Sequence, residues 1–126
     1  MKDYKVELNR FRVKKGKSAK VDEWLKFLNE NMQDTLLTLE NEKMYVETIF
    51  REILNGEEYL YWYSVQGVGG IEVTDSTSYI DIKHLEYWEE CIDESYGMAD
   101  LKPQVVMIAP KITETIEYLD KEFENK

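Results

Sequence analysis

Between Lys43 and Gln66 two runs rich in apolar, β-branched and aromatic residues, each strand-like, lie on either side of Asn55-Gly56. That pair favours a two-residue type I′ turn with both residues at positive φ. The pattern predicts a hairpin of Lys43 to Leu54 with Glu57 to Gln66, and the turn fixes its register. Leu54 then faces Glu57, and one sheet face pairs Glu52 with Tyr59, Phe50 with Tyr61, Thr48 with Tyr63 and Val46 with Val65. The other face carries Glu47, Ile49, Arg51, Leu60, Trp62 and Ser64. Tyr4 to Val13 alternates as a strand does and predicts a first strand, after which Lys14-Lys15-Gly16 turns into a helix that Ser18 can cap. In that helix Val21, Leu25, Leu28, Met32, Leu36 and Leu39 recur every three or four residues, so it is expected to run unbroken to about Glu40, with Trp24 widening its apolar stripe.

After the hairpin, Gly67, Gly69 and Gly70 break regular structure, and Ser78 with Asp81 has the spacing of a capping box opening a second helix. Leu85, Trp88 and Ile92 form its core stripe. Leu101 to Ala109 predicts a fourth strand, and Pro110 starts a last helix through Ile112, Ile116, Leu119 and Phe123. The order is strand, helix, strand, strand, helix, strand, with one helix appended, which predicts an α+β fold of ferredoxin-like βαββαβ type. Right-handed crossovers put both helices on one face of the antiparallel sheet. The opposite face would then hold Val6, Leu8, Val46, Phe50, Tyr61, Tyr63 and Val65. So large an apolar patch calls for a partner chain, and a homodimer with its two sheets face to face, a dimeric α+β barrel, is expected.

Composition narrows the functional classes. The 126 residues predict one domain spanning 1–126, long enough to bury roughly two thirds of the surface of its unfolded chain. A net charge of −10, with 16 basic residues scattered among 26 acidic ones, opposes a phosphate backbone. Nucleic acid and anionic membrane are therefore not expected partners. A single cysteine, Cys91, and the lack of a secretory signal or a membrane-length apolar run point to a reducing, cytoplasmic location.

Phe11-Arg-Val-Lys-Lys-Gly-Lys followed by Val21-Asp-Glu-Trp-Leu, with Trp62 on a strand, resembles the dimeric α+β barrel superfamily that includes the antibiotic-biosynthesis monooxygenases. More closely, Lys43-Met-Tyr-Val-Glu-Thr-Ile-Phe-Arg-Glu, Tyr61-Trp-Tyr-Ser and His84-Leu-Glu-Tyr-Trp look like an uncharacterised bacterial family within that group. The superfamily hosts oxygenases, mutarotases, decyclases and binding proteins, so the resemblance implies a fold and leaves the reaction open. Haem-degrading members use an Asn on the first strand, a Trp on the third and a His on the second helix. Asn9, Trp62 and His84 match those elements, and haem with His84 as axial ligand is the cofactor this resemblance implies.

The residues also support a reading without any cofactor. Glu7, Asn9, Glu47, Arg51, Trp62 and Ser64 share the helix-covered face, where buried charge is costly unless paired, and so many polar groups there predict a hydrated cavity. Arg51 would clamp a small anionic metabolite, with Glu47 and His84 as acid-base candidates and Asn9, Trp62, Ser64 and Trp88 lining the site. Cys91 lies seven residues beyond His84, about 10.5 Å along a helix, too far for a thiolate-imidazole pair. A small-molecule-binding protein or cofactor-independent enzyme is thus the leading expectation. A haem monooxygenase and a non-catalytic dimerisation or regulatory module stand beside it.

Overall fold

In the computed structural model, residues 4–70 and 76–124 are described, with side chains as far as Leu119. Ile71 to Asp75 of the glycine-rich loop and the side chain of Phe123 lie outside the described residues. The elements are β1 (Tyr4–Arg12), α1 (Ser18–Glu30), α2 (Met32–Glu42), β2 (Met44–Leu54), β3 (Glu57–Gly67), α3 (Tyr79–Cys91), β4 (Ala99–Leu101) and α4 (Pro110–Glu124). The strands form one antiparallel sheet in the order β2-β3-β1-β4, the ferredoxin-like arrangement of an α+β fold.

The hairpin has the expected register throughout, from Leu54 opposite Glu57 to Val46 opposite Val65, and slips only between Met44 and Val46. Asn55 (φ 52°) and Gly56 (φ 80°) both take the left-handed conformation that a type I′ turn demands. Register fixes the faces. Leu60 and Trp62 of β3, with Val13 just beyond β1, meet Val21 and Trp24 of α1 and Tyr87, Cys91 and Ile92 at the α3 end in one buried cluster. Cys91 is fully buried there, and burial pushes its thiol pKa up, as suits a structural thiol.

Four local expectations are corrected. The long first helix is broken at Asn31 (φ −112°, ψ 33°), because the Asn31 side chain donates to Phe27 O at 2.8 Å and so competes with the helical ladder. Thr35 then donates both its backbone N–H and its hydroxyl to Asn31 O, and α2 starts at Met32 as a separate helix. Ser18 is not a cap. It follows the N-cap residue Lys17, and its hydroxyl accepts instead from Arg51 at 2.9 Å. The capping box is not formed either, since the Ser78 N–H that Asp81 would have received goes to Ser76 Oγ at 3.0 Å. Finally, the fourth strand is not Leu101 to Ala109: β4 is Ala99–Leu101, shares only Leu101 with that span and ends before Pro103, which has no N–H for the ladder and restrains Lys102.

The face away from the helices is only partly open. Val65 at its centre is buried and Tyr61 and Tyr63 are half-buried, whereas Val46 and Phe50 towards the β2 edge are exposed. At the other side of the sheet Gly70 passes so close to the end of α2 that a Cβ would overlap the Glu42 backbone carbonyl. The glycine run is therefore a packed junction at that point, tied further by Gly67 N–H to Lys43 O at 2.7 Å.

Gly56 has open space around the position of a Cβ, so a side chain there meets only the backbone penalty of positive φ. Gly56→Val should cost about 1 to 3 kcal/mol. The fall is read as a lower melting temperature, and an unchanged melting temperature would mean that the turn does not hold the register.

Candidate binding cavity

A cavity of about 390 Å³ lies between α1 and α2, on either side of the break at Asn31, and α3, β2 and β3. Its walls are mainly apolar, with Leu25, Leu28, Leu36, Leu39 and Ile49 among them, and Leu36 is 52 % exposed because it faces this opening. Glu47, Trp62, Asp81 and His84 supply the chemistry.

His84 stands in an aromatic cage, with ring centroids 5.4 Å from Trp24, 5.9 Å from Trp62 and 6.3 Å from Trp88. Trp24, fully buried behind it, donates its indole N–H to His84 Nδ1 at 3.1 Å. An indole nitrogen can only donate. His84 Nδ1 therefore carries a lone pair, the proton of the neutral ring sits on Nε2, and the ring edge turned from Trp24 offers the cavity a hydrogen-bond donor. Burial holds the imidazole neutral by lowering its pKa to about 4, against a smaller opposing pull from Asp81.

Glu47 lies opposite, across the sheet edge. Trp62 Nε1 donates to its Oε2 at 3.1 Å. Glu47 has an exposed surface, yet protein atoms crowd its carboxylate; both hold because that surface is the wall of an open cavity. Desolvation raises its pKa, the Trp62 bond opposes this, and the charge of Asp81 adds to the rise. Asp81 is 5 % exposed and lines both this cavity and a smaller one of about 240 Å³ beside it.

Of the residues singled out from the sequence, Glu47, Trp62 and His84 meet in the cavity, and Asn9, Arg51, Ser64 and Trp88 are not among its lining. Arg51 is withdrawn from it. Its guanidinium bonds Glu58, Asp22 and both Ser18 oxygens, a clamp between the hairpin end and the start of α1, so it does not reach an anion in the cavity. Trp88 packs edge-on against Phe11 at 4.6 Å in the core. Ser64 is buried in the sheet. Asn9 donates weakly to Glu7 at 3.5 Å, and its Oδ1 is buried without a partner.

Asp81 and Trp24 belong to the site although neither is a sequence candidate for it. The signal for Asp81 is its place on the same helical stripe as Leu85, Trp88 and Ile92, which turns it inward.

The residues do not fit a haem. An axial ligand must turn a lone pair to the iron, and the only lone pair of neutral His84 is occupied by Trp24. Trp62 has given its N–H to Glu47, and Asn9 does not line the cavity. Among the described residues no group of three or more His, Cys, Asp or Glu side chains is placed to hold a metal ion. No helix is long and apolar enough to cross a membrane.

Comparison with known families gives one match, which covers residues 4–114. The chain belongs to DUF6176, a family of unknown function. No curated protein and no solved structure matches it. The DUF6176 match spans every lining residue of the cavity, from Leu25 to His84, and brings no reaction with it.

The His84 environment predicts a pH dependence of stability for this DUF6176 chain. The unfolded chain takes up the imidazole proton near pH 6.5 and the folded one near 4, so the unfolded state binds more protons between these values. The contribution of His84 is fully present above pH 6.5 and declines as pH falls towards 4, by up to about 3 kcal/mol. Denaturant titrations from pH 7.5 to 4.5 should show this decline in the wild type and a shallower one in His84→Gln. Parallel curves for the two proteins would contradict the neutral, buried imidazole.

Proposed function

We propose that this domain is a small-molecule-binding protein whose ligand seats between the sheet and the helices, with an apolar body against the leucine walls and a polar head at Glu47, Asp81 and His84. The observation that carries this reading is the combination of an open, mainly apolar cavity with a His84 N–H that has no protein partner among the described residues. A free donor at the wall of a mainly apolar cavity is one of the few polar points that can orient a ligand, and a ligand acceptor is the group that meets it. The lining argues against an anionic ligand, since it includes Glu47 and Asp81 and, among the described residues, neither lysine nor arginine. With its pKa raised, the Glu47 carboxyl is also a candidate proton acceptor, which leaves room for a cofactor-independent reaction on the same ligand.

Homodimerisation through the face carrying Phe50, Tyr61, Tyr63 and Val65 belongs to the same reading, as does common descent with the dimeric α+β barrels. Strand order supports it, and so does exposed apolar surface on Val46 (43 %), Phe50 (54 %) and, beyond β4, Val105 (73 %) and Met107 (86 %).

Two measurements test these claims. Small molecules from a metabolite library that stabilise the native state should raise the melting temperature of the wild type and lose that effect in Leu36→Trp, which fills the cavity from an exposed position. Shifts that survive Leu36→Trp would place binding elsewhere. In sedimentation at micromolar concentration the wild type should run as a dimer and Tyr61→Glu as a monomer or unfolded chain; a monomeric wild type would contradict the interface.

A further inference from the structure

Asp81 is 5 % exposed as a residue and lines both cavities, and among the described residues no hydrogen bond or ion pair reaches its carboxylate. Its oxygens keep contact with the cavity space instead of being sealed in the protein. A carboxylate so placed loses much of its water and is ordinarily matched by a charged or hydrogen-bonding partner. The first turn of α3, where Asp81 sits, favours its charge through the helix dipole. The cavity is the side from which a further partner can reach it.

The surroundings say what would meet it. Asp81 forms part of the wall between the two cavities together with Thr38 and Ile80, and neither cavity is lined by a lysine or arginine among the described residues. The Thr38 hydroxyl donates to Thr35 O at 2.7 Å, so towards a ligand it offers only lone pairs. Trp62 presents an indole to the cavity, a surface that attracts cations. Every one of these groups favours a positively charged N–H donor. The absence of three clustered metal ligands among the described residues points away from a divalent ion, while the leucine walls call for hydrocarbon attached to the charge.

We propose that the ligand of this cavity is an amine, with its ammonium group paired to Asp81 and its apolar body lying along Leu25, Leu28, Leu36 and Ile49. This rests on the cavity reading above. The His84 N–H then serves an acceptor atom elsewhere on the same ligand.

The test compares three probes that share one hydrocarbon body, 3-phenylpropylamine, 3-phenylpropanol and 3-phenylpropionate, by calorimetric titration of the full chain at pH 7. The amine should bind at least tenfold more tightly than the alcohol, and the carboxylate should bind least. Asp81→Asn, which keeps the volume and removes the charge, should abolish the preference for the amine and leave the alcohol unchanged. Leu36→Trp should abolish binding of all three. Equal affinity of wild type for amine and alcohol, or a preference that persists in Asp81→Asn, would overturn the amine assignment and leave the cavity reading standing. Failure of all three probes to bind would overturn the cavity reading itself. The wild-type series decides between these outcomes even if Asp81→Asn does not fold.

Discussion

One hydrogen bond organises the chemistry of this domain. Trp24, wholly buried on α1, donates to His84 on α3, and that donation determines which nitrogen of the imidazole carries the proton and which edge the cavity meets. The ring is packed on three sides by tryptophan, so it has little freedom to answer a ligand by turning over. The same contact that helps hold two helices together therefore converts the sole histidine from a prospective base or metal ligand into a fixed, neutral donor.

Below that bond lies the hairpin. Because Asn55-Gly56 admits a single turn type, the register of β2 on β3 is specified locally, and with it the face of every residue along both strands. This is why the hairpin pairing and the presence of Glu47 and Trp62 beneath the helices were legible from sequence. The two-residue period of a strand and a turn of known geometry carry that information in neighbouring residues.

What was illegible depends on competition between groups far apart in the chain or on side-chain chemistry within one turn. Arg51 has the parity of a cavity residue, but Asp22 and Glu58 reach it first, and their charges are invisible to a face count. The stripe from Val21 to Leu39 keeps its helical period across Asn31, so periodicity gave no warning that an amide competing for Phe27 O would break the helix. Asp81 illustrates the reverse error: a spacing typical of a cap concealed an acidic residue on an inward stripe, and its partner N–H had already been taken by Ser76. The fourth strand was misplaced because the apolar run after Pro103 drew the expectation to Leu101–Ala109, whereas the ladder forms on Ala99–Leu101 and stops before the missing Pro103 donor.

The account turns on the protonation pattern of His84, and because the chain has one histidine its imidazole signals in ¹⁵N-resolved NMR need no assignment. Across pH 8 to 5 the spectrum should show Nδ1 without a proton, Nε2 with one, and no titration, in keeping with a pKa lowered to about 4. A proton on Nδ1, or a titration centred near 6.5, would mean that Trp24 does not hold the ring and that the cavity faces a different group from the one described.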